Sequence, residues 1–218
     1  LTRDKPMKLL FATEDGFDVL DDDEMGQYGL VRGASANNIA TLDVDGDNLL
    51  ELLIADENYV RAVRYEPTPN EGVSPGWQVV TQINMDDGAS NLVSIAINGD
   101  EILVADKENE RIVVLSQTGE EWTEGDSIFV RGYDLGPIYA GDFTGDTVSD
   151  ILAIGDSGFA IIQLSGNRVA LNEIQSWRTD NERRMQHELA VGDVNGDGYS
   201  DMISLDAGEQ MLEIFTFA

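Results

Sequence analysis

Three times along the chain, an Asp- and Gly-rich segment runs directly into a short apolar stretch. The copies are TLDVDGDNLLELLIAD (41–56), AGDFTGDTVSDILAIG (140–155) and AVGDVNGDGYSDMISLD (190–206). Aligned on the last acid before the apolar run, the anchors are Glu51, Asp150 and Asp201. Asp150 and Asp201 lie 51 positions apart, and Glu51 and Asp150 lie 99 apart, which leaves room for one more unit. That unit is LVSIAINGDEILVAD (92–106), with its acidic loop shortened and Glu101 opposite Glu51. A partial copy, MKLLFATED (7–15), opens the chain. A repeat of this length indicates a solenoid, a propeller or an array.

The elements inside each unit decide among these. NIATLDV, ELLIAD, RAVRY and WQVVTQI are short, β-branched or aromatic, and bounded by Gly, Asp, Asn and Pro; DILAIG, FAIIQL, DMISL and MLEIFTF repeat the rhythm. These are strand signals, four to a unit. The exception is TDNERRMQHEL (179–189), readable as one helical turn or a long loop. Four strands in about fifty residues is the pattern of a β-propeller blade. The expected fold is a single all-β propeller domain over residues 1–218. Its units span 1–36 (partial), 37–88, 89–135, 136–186 and 187–218 (partial). It has either five blades, two of them incomplete, or is an arc of a larger propeller.

The acidic loops carry the chemistry. Counted from the first aspartate, positions 1, 3, 5 and 9 are Asp43, Asp45, Asp47 and Glu51 in the first full copy. They are Asp142, Thr144, Asp146 and Asp150 in the third, and Asp193, Asn195, Asp197 and Asp201 in the last. Every one bears a side-chain oxygen, and clustered carboxylates repel unless a cation lies between them. Position 7 (Leu49, Val148, Tyr199) would add a backbone carbonyl. Hard oxygens without nitrogen or sulfur select Ca2+, with up to three sites. Glycine at position 4 (Gly46, Gly145, Gly196) permits a sharp bend. Position 6 is Asn48, Thr147 or Gly198. If it requires a positive φ, Thr147 is disfavoured, and the loops rank last, first, third in fitness for an ion. The second copy keeps only Asp100 and Glu101 and has no site. An EF-hand or dockerin loop needs an acid at position 12 and an adjoining helix. Position 12 here is Ile54, Ala153 or Ser204, and strands follow.

VGDVNGDGYSDMIS (191–204) resembles the FG-GAP/VCBS repeat, a Gly-Asp-x-Asn-Gly-Asp-Gly-x-x-Asp run followed by an apolar strand; the other two copies match in part. The resemblance implies a β-propeller similar to integrin α-subunit propellers and many bacterial surface proteins, with Ca2+ between the first two strands of a blade. The ligands it implies are Asp193, Asn195, Asp197, Asp201 and the Tyr199 carbonyl, and their equivalents in 43–51 and 142–150. The Phe-Gly and Gly-Ala-Pro elements of the integrin-type repeat are missing, so integrin-style ligand recognition is not carried over.

With 42 acidic residues against 13 basic ones, the net charge is −29, which argues against nucleic acid and anionic membranes as partners. No apolar run reaches the roughly 20 residues that span a bilayer, so membrane insertion is not expected. No charged-then-apolar leader opens the chain, so any signal peptide is expected to have been removed or to lie outside this sequence. Extracellular modules bind calcium at about 0.1–1 mM, a range suited to an extracellular, cell-surface or periplasmic location. Trp77, Trp122 and Trp177 recur once per unit and read as packing at outer strands, with sugar stacking as the alternative. The acidic run DVLDDDEMG (18–26) reads as a solvated hairpin tip, and the lone His187 marks out no Ser-His-Asp site. The function expected is a non-catalytic binding or interaction scaffold with a protein or polysaccharide partner. Another chain could complete an unfinished blade. The alternative is a propeller-type polysaccharide lyase or hydrolase, or the accessory module of one.

Overall fold

The computed structural model describes residues 9–13, 16–20, 37–66, 76–85, 90–119, 121–155, 158–164, 171–178, 188–206 and 211–217. The segment 21–26 of the acidic run, His187 and residues 179–187 of the ambiguous segment lie outside them.

The described residues are all-β. The hairpin β1 (Leu9–Thr13) and β2 (Gly16–Leu20) comes first. Three four-stranded antiparallel meanders follow. They are β3 (Ile39–Leu42) to β4 (Glu51–Asp56), β5 (Tyr59–Glu66) and β6 (Gly76–Asn84); β7 (Leu92–Asn98) to β8 (Glu101–Asp106), β9 (Arg111–Thr118) and β10 (Glu121–Phe129); and β11 (Leu135–Gly141) to β12 (Asp150–Gly155), β13 (Gly158–Leu164) and β14 (Leu171–Arg178). A three-stranded sheet, β15 (Glu188–Gly192), β16 (Asp201–Asp206) and β17 (Met211–Phe215), ends the series. The first strands of successive sheets adjoin: β3 lies beside β7, β7 beside β11, and β11 beside β15. The arrangement is propeller-like, and a closed ring is not seen among the described residues. Among these residues no helix is long and apolar enough to cross a membrane.

The second strands β8 and β12 are apolar along their length because neighbouring sheets cover both their faces. Successive side chains of a strand point to opposite sides. In β8, Ile102 and Val104 join Leu53, Ala55 and Val60 of the preceding sheet in one core. Leu103 and Ala105 join Leu135, Ile138 and Ile151 of the following sheet in another. In β12, Ile151 and Ala153 share that second core, while Leu152 and Ile154 pack with Phe159, Met202 and Phe217 in a third. Edge-to-face contacts of Phe217 with Phe143 (5.6 Å) and Phe159 (6.1 Å) close the third core.

Two of the tryptophans pack as their spacing suggested. Trp77 meets Tyr65 edge to face at 5.7 Å between β6 and β5. Trp122 of β10 is partly buried against the first inter-sheet core, and its indole N–H donates to the Val44 carbonyl of the preceding sheet (3.4 Å). Trp177 falls in β14.

Candidate metal-binding loops

Each acidic loop joins the first strand of a sheet to the second: β3 to β4, β11 to β12, β15 to β16. Position 12 lies inside β4, β12 or β16, so strands follow every loop and the EF-hand alternative has no helix to draw on. The backbone takes the bends that the sequence asked for. Position 4 has φ +78°, +71° and +80° at Gly46, Gly145 and Gly196, and position 6 has +66°, +67° and +94° at Asn48, Thr147 and Gly198. Thr147 therefore holds the left-handed conformation despite its β-branch.

One hydrogen-bond pattern recurs in all three loops. The position 1 aspartate bridges the turn. Asp43 accepts the N–H groups of Gly46 (2.7 Å) and Asn48 (2.8 Å). Asp142 accepts those of Gly145 (2.6 Å) and Thr147 (2.8 Å), and Asp193 those of Gly196 (2.7 Å) and Gly198 (3.0 Å). The N–H of Gly198, with those of Gly196 and Asp197, holds the Asp193 carboxyl below the usual carboxylate range. The position 5 aspartate accepts the N–H of position 7: Leu49 to Asp47 (2.8 Å), Val148 to Asp146 (2.8 Å), Tyr199 to Asp197 (2.9 Å). The position 9 acid is fully buried in every loop and accepts the N–H of position 2: Val44 to Glu51 (3.0 Å), Phe143 to Asp150 (3.0 Å), Val194 to Asp201 (3.1 Å). These bonds account for one oxygen of each position 5 and position 9 carboxylate. The second oxygen of each faces the interior of the loop's acidic group or a neighbouring strand.

What meets those second oxygens differs between loops. In the β3–β4 loop, carboxylate oxygens of Asp43, Asp45 and Glu51 converge within 4.8 Å of one another. Arg64 of β5 reaches into the group: its Nη1 donates to Asp47 Oδ2 (2.6 Å), Glu51 Oε1 (3.1 Å) and Asp45 Oδ2 (3.4 Å). Burial pushes the Glu51 carboxyl up and Asp45 and Asp47 add to the rise, against the Val44 N–H and the Arg64 guanidinium. In the β15–β16 loop, Asn195 Nδ2 donates to Asp197 Oδ2 (2.8 Å), and the Phe217 N–H approaches Asp201 Oδ1 (3.4 Å).

In the β11–β12 loop, Gln163 Nε2 donates to Asp146 Oδ2 (2.6 Å). There the buried Asp150 Oδ1 and Thr144 Oγ1 make no hydrogen bond. Burial is the main reason the Asp150 carboxyl lies above its ordinary range; the nearby Thr144 side chain and the Phe143 N–H oppose the rise. A carboxylate oxygen and a hydroxyl buried beside each other, with no well-formed hydrogen bond, are an arrangement that a cation between them would relieve. The loop ranked last from sequence thus keeps a donor set that a cation would satisfy.

The second sheet has no such loop. β7 turns into β8 through Gly99 (φ +59°), and Glu101 accepts from Ser116 Oγ (3.2 Å) and Asn98 Nδ2 (3.5 Å).

Sequence reasoning read RAVRY only as a strand and so missed Arg64. Register supplies the signal. Asp150 pairs with Gln163 across β12 and β13, and one step beyond the Leu52–Val63 pair places Arg64 beside Glu51. The same step places Ser116 beside Glu101 and Thr216 beside Asp201. Of these four facing residues, Arg64 alone carries a charge.

No known family profile matches the chain, so membership of the FG-GAP/VCBS family remains a resemblance, and no curated protein sequence is similar to it. Solved structures are similar in fold. A protein from Lactobacillus plantarum superposes with a TM-score of 0.55 at 11% identity, over 96% of this chain and 67% of its own. A protein from Bacteroides uniformis, provisionally named a 6-phosphogluconolactonase, superposes with a TM-score of 0.51 at 10% identity. That match covers 95% of this chain and 63% of the other, so the chain spans about two thirds of the length of each. At these identities the likeness concerns the fold alone.

Proposed function

We propose that the chain is a calcium-stabilised β-propeller, resembling the FG-GAP/VCBS type, that serves outside the cytoplasm as a non-catalytic scaffold for a protein or polysaccharide partner. The observation that carries the calcium reading is the pair Asp150 Oδ1 and Thr144 Oγ1, buried beside each other with no well-formed hydrogen bond in a loop whose form recurs elsewhere in the chain. Asp142, Thr144, Asp146 and Asp150, with the Val148 carbonyl, would hold one ion. Asp193, Asn195, Asp197 and Asp201, with the Tyr199 carbonyl, would hold another. When bound, a divalent ion neutralises carboxylates and crosslinks the turn. The protein's own part is to preset that turn: Asp142 and Asp193 fix its curvature through backbone N–H groups, and Asp150 and Asp201 anchor it to the second strand.

The scaffold reading is supported by the use of the loop carboxylates in turn structure and by the lack of any sequence motif for nucleophilic catalysis. The lactonase name of the Bacteroides uniformis neighbour comes with a likeness of 10% identity, which supports a hydrolase only weakly. The test is a thermal melt in calcium and in EDTA, followed by calcium back-titration. Chelation is expected to lower the midpoint and added calcium to restore it. An unchanged midpoint, with no calcium retained after dialysis, overturns the calcium reading.

A further inference from the structure

We infer that Arg64 is the resident cation of the β3–β4 loop, and that this loop is held together without a metal ion. The inference draws on the calcium reading above only for its contrast with the two sister loops.

The argument is one of place. An ion in this loop would be held by the side-chain oxygens of positions 3, 5 and 9 with position 1. Nη1 of Arg64 lies 3.4, 2.6 and 3.1 Å from the oxygens of Asp45, Asp47 and Glu51, at positions 3, 5 and 9. Calcium requires its oxygens at about 2.3–2.6 Å, so an ion and this nitrogen cannot share the point where those oxygens converge. The guanidinium is fixed from behind as well: its Nε donates to Glu66 Oε1 (3.2 Å), on the same strand. Only about a fifth of the Arg64 side chain is exposed, and Glu51 is not exposed at all. Removing the arginine therefore leaves a buried carboxylate beside two more acids. The sister sheets carry Gln163 and Thr216 at the matching position, neutral residues that bring no charge to the loop, although Gln163 Nε2 does reach Asp146 Oδ2 (2.6 Å). The repeat has one geometry and two ways of neutralising it, one covalently part of the chain and one drawn from solution.

The test compares the full chain with Arg64→Gln, Arg64→Lys and Asp47→Asn variants. Melting is measured in EDTA, and bound calcium is counted by equilibrium dialysis at millimolar calcium. In EDTA, Arg64→Gln is expected to lower the midpoint by at least about 2–4 °C, the shift that a loss near one stability unit produces in a chain of this size. Arg64→Lys, which keeps the charge, is expected to retain most of the wild-type midpoint. In calcium, Arg64→Gln is expected to hold one more ion per chain than wild type, and Asp47→Asn the same number as wild type. Equal midpoints in EDTA for wild type and Arg64→Gln overturn the inference, as does loss of one bound ion in Asp47→Asn. If no variant binds calcium and chelation leaves wild type unchanged, the calcium reading of the sister loops falls, while a lowered Arg64→Gln midpoint in EDTA still upholds Arg64 as the resident cation.

Discussion

The ring of Tyr199, in the β15–β16 loop, occupies the space that a side chain at Gly145 of the β11–β12 loop would need. The two loops are also joined by the Ser200 N–H, which donates to the Asp142 carbonyl (2.7 Å). Gly145 is thus required twice, by its φ of +71° and by its neighbour's ring. Gly46 has a similar φ of +78° with open space around it. Gly145→Ala is expected to destabilise by about 1–3 kcal/mol beyond the backbone cost, and Gly46→Ala by the backbone cost alone, about 1 kcal/mol. Urea unfolding of the two variants checks the difference, and equal losses would show that Tyr199 yields freely.

A second prediction concerns charge in the β11–β12 loop. Replacing Asp150 with Asn removes a fully buried negative charge held by the Phe143 N–H and the Thr144 side chain and by no ion pair among the described residues. In EDTA the variant is expected to melt at or above wild type, and in millimolar calcium below it, because the ion loses a ligand. The pair of melts gives opposite signs only if the carboxylate serves a cation.

Acid should attack a different place. Asp106 is fully buried at the end of β8, and Arg111 Nε donates to it at 3.0 Å. Burial alone would raise its carboxyl. The Asn109 side chain, the Asn91 N–H and Arg111 together outweigh burial and hold it below the ordinary carboxylate range. A depressed folded value stabilises the protein above the unfolded value, near 3.9, and that stability is lost as pH falls through the folded value. Asp106→Asn is expected to cost about 1.5–3 kcal/mol at neutral pH, because it removes a buried charge-assisted hydrogen bond while Glu124 (3.2 Å) still pairs with Arg111. The difference from wild type should shrink below about pH 4, where the wild-type carboxyl also takes up its proton. Denaturant melts at several pH values read both effects.

Core truncation gives a fourth. Leu103 has no exposed surface and lies between the second and third sheets. Leu103→Ala is expected to cost about 2–5 kcal/mol, whereas Val79→Ser, at a site 58% exposed, should stay within about 0.5 kcal/mol. Chemical denaturation of both variants settles the contrast.

Strands and loops were legible in the sequence because their causes are local. ELLIAD, EILVAD and DILAIG announce strands covered on both faces, and GD-rich turns announce positive φ at fixed places. The content of the loops was not legible, because it depends on residues brought in across a hairpin. Thr147 looked unfavourable on backbone grounds, yet its loop holds the buried Asp150 and Thr144 oxygens beside each other. The first loop looked ready for an ion, yet Arg64, 13 positions beyond Glu51, was already aimed into it. Counting forward from each position 9 acid through the hairpin register would have found Arg64 and Gln163 from the sequence alone. The partnership of Asp106 with Arg111 follows from a tight β8–β9 turn and was equally within reach.

Leu103 and Val104 are adjacent in sequence yet belong to different cores. The middle sheet is therefore a party wall, and each of its neighbours loses the cover of one apolar face if it is taken down. Loss of one sheet strips an apolar face from the next, so unfolding should spread along the series as a front rather than release single sheets, and damage at β8 should be felt at both ends of the chain.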